Sequence, residues 1–447
     1  MNTLSTTNNY LSHHHDLSKN TNRNKTISNN QNNKKWTLSK KLLKGFSSLT
    51  PLWLGLLIGA LISGLVLAII ITLWITSSNE NISIVEGIKT TKPTTAASNS
   101  STATPTTSTT PMPGSTIINA TNYARAQHTA SVLANGNVLV TGGKSSSSAL
   151  GSAELYDLST GVWTVTGSMD LARYGHTVSL LTNGKVLVTG GYNSSIYTYR
   201  AELYDPPTGL WAATSVMNSI RYTHAASVLA NGNVLVTGGY NGASTIIKSA
   251  ELYNSSTGQW TITGNMNYIR RLHTLSLLTD GKMLAVGGYN GSYGSNSAEL
   301  YDPSTGIWTL TGNMNYARYD HTASVLTNGK VLVTGGNNVT VAGDSAELYD
   351  PLTGIWTLTN KMNYGRYYHT ASVLANGKVL VTGGRNGSSY MNSTELYDPS
   401  TGLWTLISSI SYARYYHTAS VLTNGKVLIV GGQGSGGYLN IPELYQP

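Results

Sequence analysis

The sequence predicts an all-β protein, a seven-bladed β-propeller closed by an N-terminal strand and preceded by one transmembrane helix and disordered segments. A unit containing a Gly-Gly pair repeats seven times, at steps of 48 residues with one step of 49. Self-similarity at this period indicates a ring of four-stranded blades. The pairs end at Gly143, Gly191, Gly239, Gly288, Gly336, Gly384 and Gly432.

Each repeat contains signals for four strands. The segment HTASVL alternates like a half-buried strand, and the Asn-Gly or Asp-Gly dipeptide that follows is typical of a tight hairpin turn that needs positive φ. The apolar run KVLVT fits a strand covered on both faces. After a variable loop, SAELYD predicts a third strand, and a Trp-containing segment predicts a fourth.

The two ends of the repeat region complement each other. The last unit stops after Tyr445 and lacks a fourth strand, whereas residues 115–125 align with the fourth-strand segment 308–318, with Ser115 in place of Trp308. We therefore expect the N-terminal strand to complete the last blade. Closure of the ring leaves only short, protected sheet edges, and the propeller is assigned to residues 112–447.

Residues 52–75 form an uncharged stretch of 24 residues with Trp53 and Trp74 at its ends. A helix of this length, about 36 Å, can cross a hydrocarbon core of roughly 30 Å. Lysines precede the stretch and glutamates follow it, so the positive-inside rule places the N-terminus in the cytoplasm and the propeller outside the cell or in a lumen. We interpret the stretch as a retained signal-anchor; the alternative is a cleaved secretory signal.

The net charge of +9 is concentrated at one end of the chain. Residues 1–51 carry +7, residues 76–111 carry zero, and residues 112–447 carry +2. The first segment is predicted to be a disordered cytoplasmic tail whose charge suits anionic inner-leaflet lipids rather than nucleic acid. Residues 76–111 are rich in Ser, Thr and Pro, which is typical of an O-glycosylated stalk.

The Gly-Gly pair, the ELYDP strand and the Trp of the fourth strand resemble the kelch repeat. The sequence of the units is most similar to kelch repeats of the galactose-oxidase-type propellers. Copper-radical oxidases of that group need a Tyr–Cys crosslink, and this chain contains no cysteine. Ubiquitin-ligase adaptors carry further domains before the propeller, for which there is no room here. The resemblance thus implies a binding module, with no cofactor and no metal.

Every unit carries Arg-x-x-His at the entry to its first strand. Because the histidines are identical in all units, we expect each of them to have the same packing role in its own blade rather than to bind a metal. The arginines could pair with equally invariant glutamates, or, as the resemblance implies, face a ligand channel and bind carboxylate or sulfate groups. These candidates are Arg125, Arg173, Arg221, Arg270, Arg318, Arg366 and Arg414.

The residues that differ between units are better candidates for specificity. Tyrosine follows the arginine in several units, and its flat ring with a polar tip suits glycan stacking and protein hot spots alike. The alternative is packing between blades. These further ligand-binding candidates are Tyr174, Tyr222, Arg271, Tyr319, Tyr367 and Tyr415.

Asn-x-Ser/Thr sequons are frequent after the hydrophobic stretch, and several fall in the loops after the Gly-Gly pairs. If used, they would partly shield the face that those loops form. The glycosylation candidates are Asn81, Asn99, Asn119, Asn193, Asn254, Asn290, Asn338, Asn386 and Asn392.

The sequence contains no recognisable nucleophile–base pair, phosphate loop or paired carboxylates outside the repeated positions. We therefore expect a membrane-anchored, non-catalytic propeller that binds a glycan or a protein on the face of the Arg-x-x-His turns and post-Gly-Gly loops. Two alternatives stay open: a sugar-acting enzyme that uses the variable loops, and a structural adhesion or coat element.

Overall fold

A computed structural model describes residues 114–338 and 343–447. Over these ranges the chain is built from β-strands and turns without a helix, and so without one long and apolar enough to cross a membrane. The predicted tail (1–51), transmembrane helix (52–75) and stalk (76–111) lie outside the described residues.

The strands occupy four positions, from the axis of the ring to its rim. The inner strands are β2 (Thr129–Val132), β6 (Thr177–Leu180), β10 (Ala225–Val228), β14 (Thr274–Leu277), β18 (Thr322–Val325), β22 (Thr370–Val373) and β28 (Thr418–Val421). The second strands are β3 (Val138–Thr141), β7 (Val186–Thr189), β11 (Val234–Thr237), β15 (Met283–Val286), β19 (Val331–Thr334), β23 (Val379–Thr382) and β29 (Val427–Val430).

Two further sets complete the blades. The third strands are β4 (Ala153–Asp157), β8 (Ala201–Asp205), β12 (Ala250–Asn254), β16 (Ala298–Asp302), β20 (Ala346–Asp350), β26 (Thr394–Asp398) and β32 (Glu443–Gln446). The outer strands are β5 (Val162–Thr166), β9 (Leu210–Ala213), β13 (Gln259–Ile262), β17 (Ile307–Leu310), β21 (Ile355–Leu358), β27 (Leu403–Ile407) and β1 (Gly114–Ile117). Small hairpins pair β24 (Arg385–Asn386) with β25 (Ser389–Tyr390) and β30 (Gln433–Gly434) with β31 (Gly437–Tyr438).

Seven antiparallel four-stranded sheets result, which confirms the predicted propeller. Blade 1 contains β2–β5, blade 2 β6–β9, blade 3 β10–β13, blade 4 β14–β17, blade 5 β18–β21, blade 6 β22, β23, β26 and β27, and blade 7 β28, β29, β32 and β1. The second strands are fully buried because neighbouring blades cover both of their faces.

The ring is closed as predicted. Strand β1 pairs antiparallel with β32, with Ser115 opposite Tyr445. Each inner strand contacts the inner strand of the next blade, and β28 of blade 7 contacts β2 of blade 1. In blades 1–6 a buried tyrosine packs on the outer-strand tryptophan, as Tyr349 does on Trp356 with 5.0 Å between ring centroids. Blade 7 lacks this aromatic pair because Ser115 replaces the tryptophan.

The Gly-Gly pair is required by backbone conformation and by space. Gly335 and Gly336 have φ values of 62° and 95°. A Cβ on Gly335 would lie 2.4 Å from the carbonyl oxygen of Arg366, and one on Gly336 would lie 2.9 Å from that of Tyr319. The inter-blade loops on both sides of the blade therefore pack directly against this backbone, which explains why the pair recurs in every unit.

Candidate functional site

The two predicted loop sets meet on one face of the propeller. In each blade the residue after the Arg-x-x-His arginine forms an antiparallel backbone bridge with the residue after the Gly-Gly pair, as in Tyr174↔Tyr192, Tyr222↔Tyr240 and Arg271↔Tyr289. These bridges fix the variable side chains of both loops beside one another. The two loop sets selected from the sequence are therefore joined in space.

A closed circle of backbone hydrogen bonds surrounds the axis at this face. The second residue after each arginine has a positive φ between 51° and 60° and donates its N–H to the carbonyl oxygen of its counterpart in the preceding blade, at 2.9–3.3 Å. The seventh bond, from Gln127 to Tyr416, closes the circle at 3.1 Å. Its members are Gln127, Gly175, Thr223, Leu272, Asp320, Tyr368 and Tyr416.

The side chains of this axial circle include one carboxyl group, that of Asp320. The side chains of Tyr368 and Arg271 are near enough to Asp320 to favour its ionised form, and Tyr416 packs on Tyr368 with 4.0 Å between ring centroids. Burial raises the pKa of Asp320 to about 8, while the nearby guanidinium of Arg271 opposes the shift. Among the described residues, Oδ2 of Asp320 is the one buried carboxylate oxygen without a hydrogen-bond partner. The axis of this face thus holds a carboxyl group that keeps its proton near neutral pH.

Tyrosines surround Asp320. The rings pack on one another, within one loop between Tyr192 and Tyr197 (4.3 Å between centroids) and between neighbouring blades for Tyr368 and Tyr416 (4.0 Å). We call the surface that these rings form the tyrosine face. It comprises Tyr174, Tyr192, Tyr197, Tyr222, Tyr240, Tyr289, Tyr319, Tyr367, Tyr368, Tyr390, Tyr415 and Tyr416.

Three cationic side chains lie over these rings. Lys144 Nζ is 5.5 Å from the centroid of Tyr174. The guanidinium carbon of Arg271 is 5.6 Å from the Tyr240 centroid and 5.2 Å from that of Tyr289. Arg385 makes the same kind of contact with Tyr415, at 5.5 Å. Cation–π attraction holds these charges at the tyrosine face, where a ligand can reach them.

The seven repeated arginines do not face a ligand channel, and that expectation was wrong. The guanidinium of Arg318, for example, donates to the carbonyl oxygens of Gly335 (2.7 Å) and Ser345 (3.2 Å), to Ser345 Oγ (3.1 Å) and to Glu347 (2.7 Å). Glu347 in turn accepts the backbone N–H groups of the inter-blade loop. All seven side chains are buried with a glutamate partner: Arg125, Arg173, Arg221, Arg270, Arg318, Arg366 and Arg414.

The arginine–glutamate pair instead fastens each inter-blade loop to the third strand of the blade that it enters. The neighbouring histidines join consecutive blades: His369 Nε2 lies 3.0 Å from Thr322 Oγ1 of the preceding blade. Burial lowers the pKa of His176, His321 and His417 to about 3, so these rings are uncharged. The histidines therefore have the packing role that was predicted for them.

The variable candidates do meet on the tyrosine face, with different exposure. Tyr174 and Tyr415 are buried, whereas Tyr222, Tyr319, Tyr367 and Arg271 are partly exposed. Asp320, Tyr368, Tyr416 and Arg385 were not among the predicted ligand-binding residues. The signal that could have found the first three is their shared place two residues after the repeated arginine, where the axial circle forms.

Comparison with known proteins agrees with this geometry. A family model described as the KLHDC2/KLHL20/DRC7 kelch-repeats domain matches residues 175–363, and the kelch motif model matches residues 125–170 and 366–411. The chain is a kelch-repeat propeller. No curated protein sequence matches it significantly. A solved fungal alcohol oxidase of the AA5 family, in complex with copper, is similar in fold at 20% identity and a TM-score of 0.60.

The alignment with that oxidase covers 74% of this chain and 75% of the oxidase. At this identity the likeness concerns the fold alone. Kelch propellers are commonly protein-interaction modules. In the described part of this kelch propeller, no group of three or more His, Cys, Asp or Glu residues could hold a metal ion.

The predicted glycosylation sites are distributed over several loops of the kelch propeller. Asn119, Asn338, Asn386 and Asn392 are exposed. Asn193, Asn254 and Asn290 are partly exposed, and their side-chain oxygens accept backbone N–H groups of the following residues. Asn81 and Asn99 lie outside the described residues. Glycosylation of these sites stays a prediction.

Proposed function

We propose that the chain is a membrane-anchored, non-catalytic binding module that presents its kelch propeller outside the cell and takes up protein or glycan ligands on the tyrosine face. The observation that carries this proposal is the unpartnered, buried Oδ2 of Asp320 at the centre of that face. Flat aromatic rings, a protonated carboxyl group and nearby cations offer stacking surface together with hydrogen-bond donors and acceptors. The same chemistry suits hot-spot side chains of proteins and hydroxyl groups of sugars.

The alternative, a sugar-acting enzyme, is favoured by one observation, the raised pKa of Asp320. A carboxyl group that keeps its proton near neutral pH can act as a general acid. Glycoside hydrolysis usually needs a second carboxylate about 5–9.5 Å away. The charged group that acts on Asp320 is Arg271, and no carboxylate contributes to the pKa shift among the described residues. This arrangement supports binding better than hydrolysis.

The test uses the full-length chain in a detergent without a sugar headgroup, because residues 52–75 are predicted to span a membrane. The protein is applied to an array of neutral and acidic glycans and to a library of displayed peptides. We expect a saturable ligand in one of the two. Binding should weaken at least tenfold in Arg271→Ala and Tyr240→Ala. The control Tyr412→Ala, at an exposed tyrosine outside the tyrosine face, should bind as the parent does.

Three results would count against the proposal. Binding that is unaffected by Arg271→Ala and Tyr240→Ala would place the ligand elsewhere. Turnover of a sugar substrate that is lost in Asp320→Asn would favour the enzyme. A propeller that resists protease added to intact cells, but is digested after the cells are opened, would contradict its location outside.

A further inference from the structure

The post-Gly-Gly loop of blade 4 and the two inter-blade loops beside it enclose a cavity of about 370 Å³, which we call the blade 4 pocket. It lies towards the rim of the same face, outside the axial circle. Its size is within the range of small-molecule sites. The residues used below are Tyr268, Ile269, Ser292, Tyr293, Asn296 and Asn313, all of which line the cavity.

The apolar part of this lining is accessible to a ligand. Tyr268 is 49% exposed, Ile269 41% and Tyr293 59%. The hydrogen bonds that hold the loop at Tyr293 include one from the Tyr293 N–H to Asn290 Oδ1 (3.0 Å) and one from the Asn290 N–H to the Tyr293 carbonyl oxygen (3.2 Å). The pocket therefore presents aromatic surface from two separate loops on a braced backbone.

The polar part of the lining has side-chain hydrogen-bond donors and acceptors that are available to a ligand. The side-chain amide of Asn313 and the hydroxyl of Ser292 are exposed and make no side-chain hydrogen bond within the described residues. Asn296 uses its amide nitrogen on the carbonyl oxygen of Met314 (3.2 Å), which leaves its side-chain oxygen as an acceptor. Amides and hydroxyls both donate and accept hydrogen bonds.

The blade 4 pocket differs in charge from the cavities at blades 5 and 2. At the positions of Asn296 and Asn313, blade 5 has Asp344 and Lys361, which form an ion pair at 3.3 Å. The lining of the cavity at blade 2 includes Asp170 and Arg200, where blade 4 has Asn267 and Ser297. The lining of the blade 4 pocket contains no charged side chain. A charged ligand would lose hydration there without gaining an opposite charge.

We propose that the blade 4 pocket binds an uncharged sugar ring. Such a ring has hydroxyl groups that both donate and accept, together with C–H surfaces that pack on aromatic faces. The Asn and Ser groups match the hydroxyls, and Tyr268 and Tyr293 match the C–H surfaces. The inference rests on the proposed binding function and adds a second contact, so that a glycan on the tyrosine face could extend a neutral residue into this pocket.

The experiment measures binding of single sugars to the full-length chain in the same sugar-free detergent. The protein is made in bacteria, so that the Asn290 sequon at the rim carries no glycan. The probes are the methyl glycosides of galactose, glucose and mannose, and N-acetylglucosamine, with glucuronate as the anionic control. Saturation-transfer NMR should detect at least one neutral sugar with a dissociation constant on the order of 1 mM, and glucuronate should bind at least tenfold more weakly.

Two variants and one matched control locate the site. Tyr293→Ala removes an exposed ring, and Asn313→Lys introduces the residue that blade 5 tolerates at the same position, so both should fold with the parent melting temperature. Each should weaken sugar binding at least tenfold. Tyr316→Ala, the equivalent of a Tyr268 change in blade 5, should leave binding unchanged.

The inference is overturned if no neutral sugar binds, if glucuronate binds equally well, or if neither pocket variant weakens binding. Arg271→Ala separates this inference from the proposed function. Suppose that binding on the array or the peptide library depends on Arg271, while the affinity for single sugars is unchanged in both pocket variants. The tyrosine face is then the binding site and the pocket is not. Single-sugar binding that survives Arg271→Ala but is lost in Tyr293→Ala supports the pocket.

Discussion

Replacing Asp320 by asparagine should stabilise the propeller at neutral pH, although it removes a residue from the centre of the candidate site. Burial raises the pKa of Asp320 from its ordinary 3.8 to about 8. Between these values the folded protein holds a proton that the unfolded chain releases, so the free energy of unfolding falls as pH rises. Each pH unit costs about 1.4 kcal/mol for one such group. Asparagine has nearly the same size and lacks this cost.

The stability advantage of Asp320→Asn should therefore grow by about 3 kcal/mol between pH 5 and pH 7, and level off above pH 8. For a propeller of this size the entropy of unfolding is roughly 0.7 kcal/mol/K, so this growth corresponds to about 4 °C in melting temperature. Calorimetric melting of both proteins at pH 5, 6, 7 and 8 measures it.

The matched control is Asp302→Asn. The pKa of Asp302 is lowered, first by the hydrogen bond from the Ser304 side chain, so its contribution is complete above its ordinary value and is lost only in acid. The melting-temperature difference of this variant should stay constant from pH 5 to 8. A constant difference for Asp320→Asn as well, or one that shrinks as pH rises, would refute the assignment of a buried, protonated carboxyl at the axis.

Two further changes test how the scaffold is held together. Glu347→Gln should leave the buried guanidinium of Arg318 without its counter-charge. The free energy of unfolding, measured with denaturant, should fall by about 3–5 kcal/mol. A fall under about 1 kcal/mol would mean that the backbone carbonyls alone are enough to stabilise the buried guanidinium. Gly335→Ala should cost at least about 2 kcal/mol more than Gly281→Ala, since both need positive φ but only the Gly335 Cβ would collide, 2.4 Å from the Arg366 carbonyl oxygen. Equal losses would show that φ, and not the close approach, explains the Gly-Gly pair.

The variable positions show why the site was only partly predictable. Tyr319 and Tyr367 could be selected because they differ between units, and the structure brings them together. Asp320 lies next to Tyr319 in the sequence, but nothing in the sequence shows that its carboxyl is buried among rings from other blades. That burial depends on Tyr368 and Tyr416, which are 48 and 96 residues away.

The role of the repeated arginines could not be decided from the sequence, although their recurrence was obvious. Their recurrence, together with that of the glutamates, was compatible with either an ion pair or a ligand channel, because a repeated charge looks the same in sequence whether it is buried or exposed. Only the fold decides, by placing Glu347 2.7 Å from Arg318 and removing both from water.

By itself, the sequence determined the number of blades, the strand order and the closure of the ring by β1, because periodic apolar patterns and turn residues act locally and are repeated seven times. The tertiary structure decided which side chains share the axial circle, which charges are paired, and which loops come together around the blade 4 pocket. Those properties depend on distances between residues from different blades, and a local pattern carries no information about such distances.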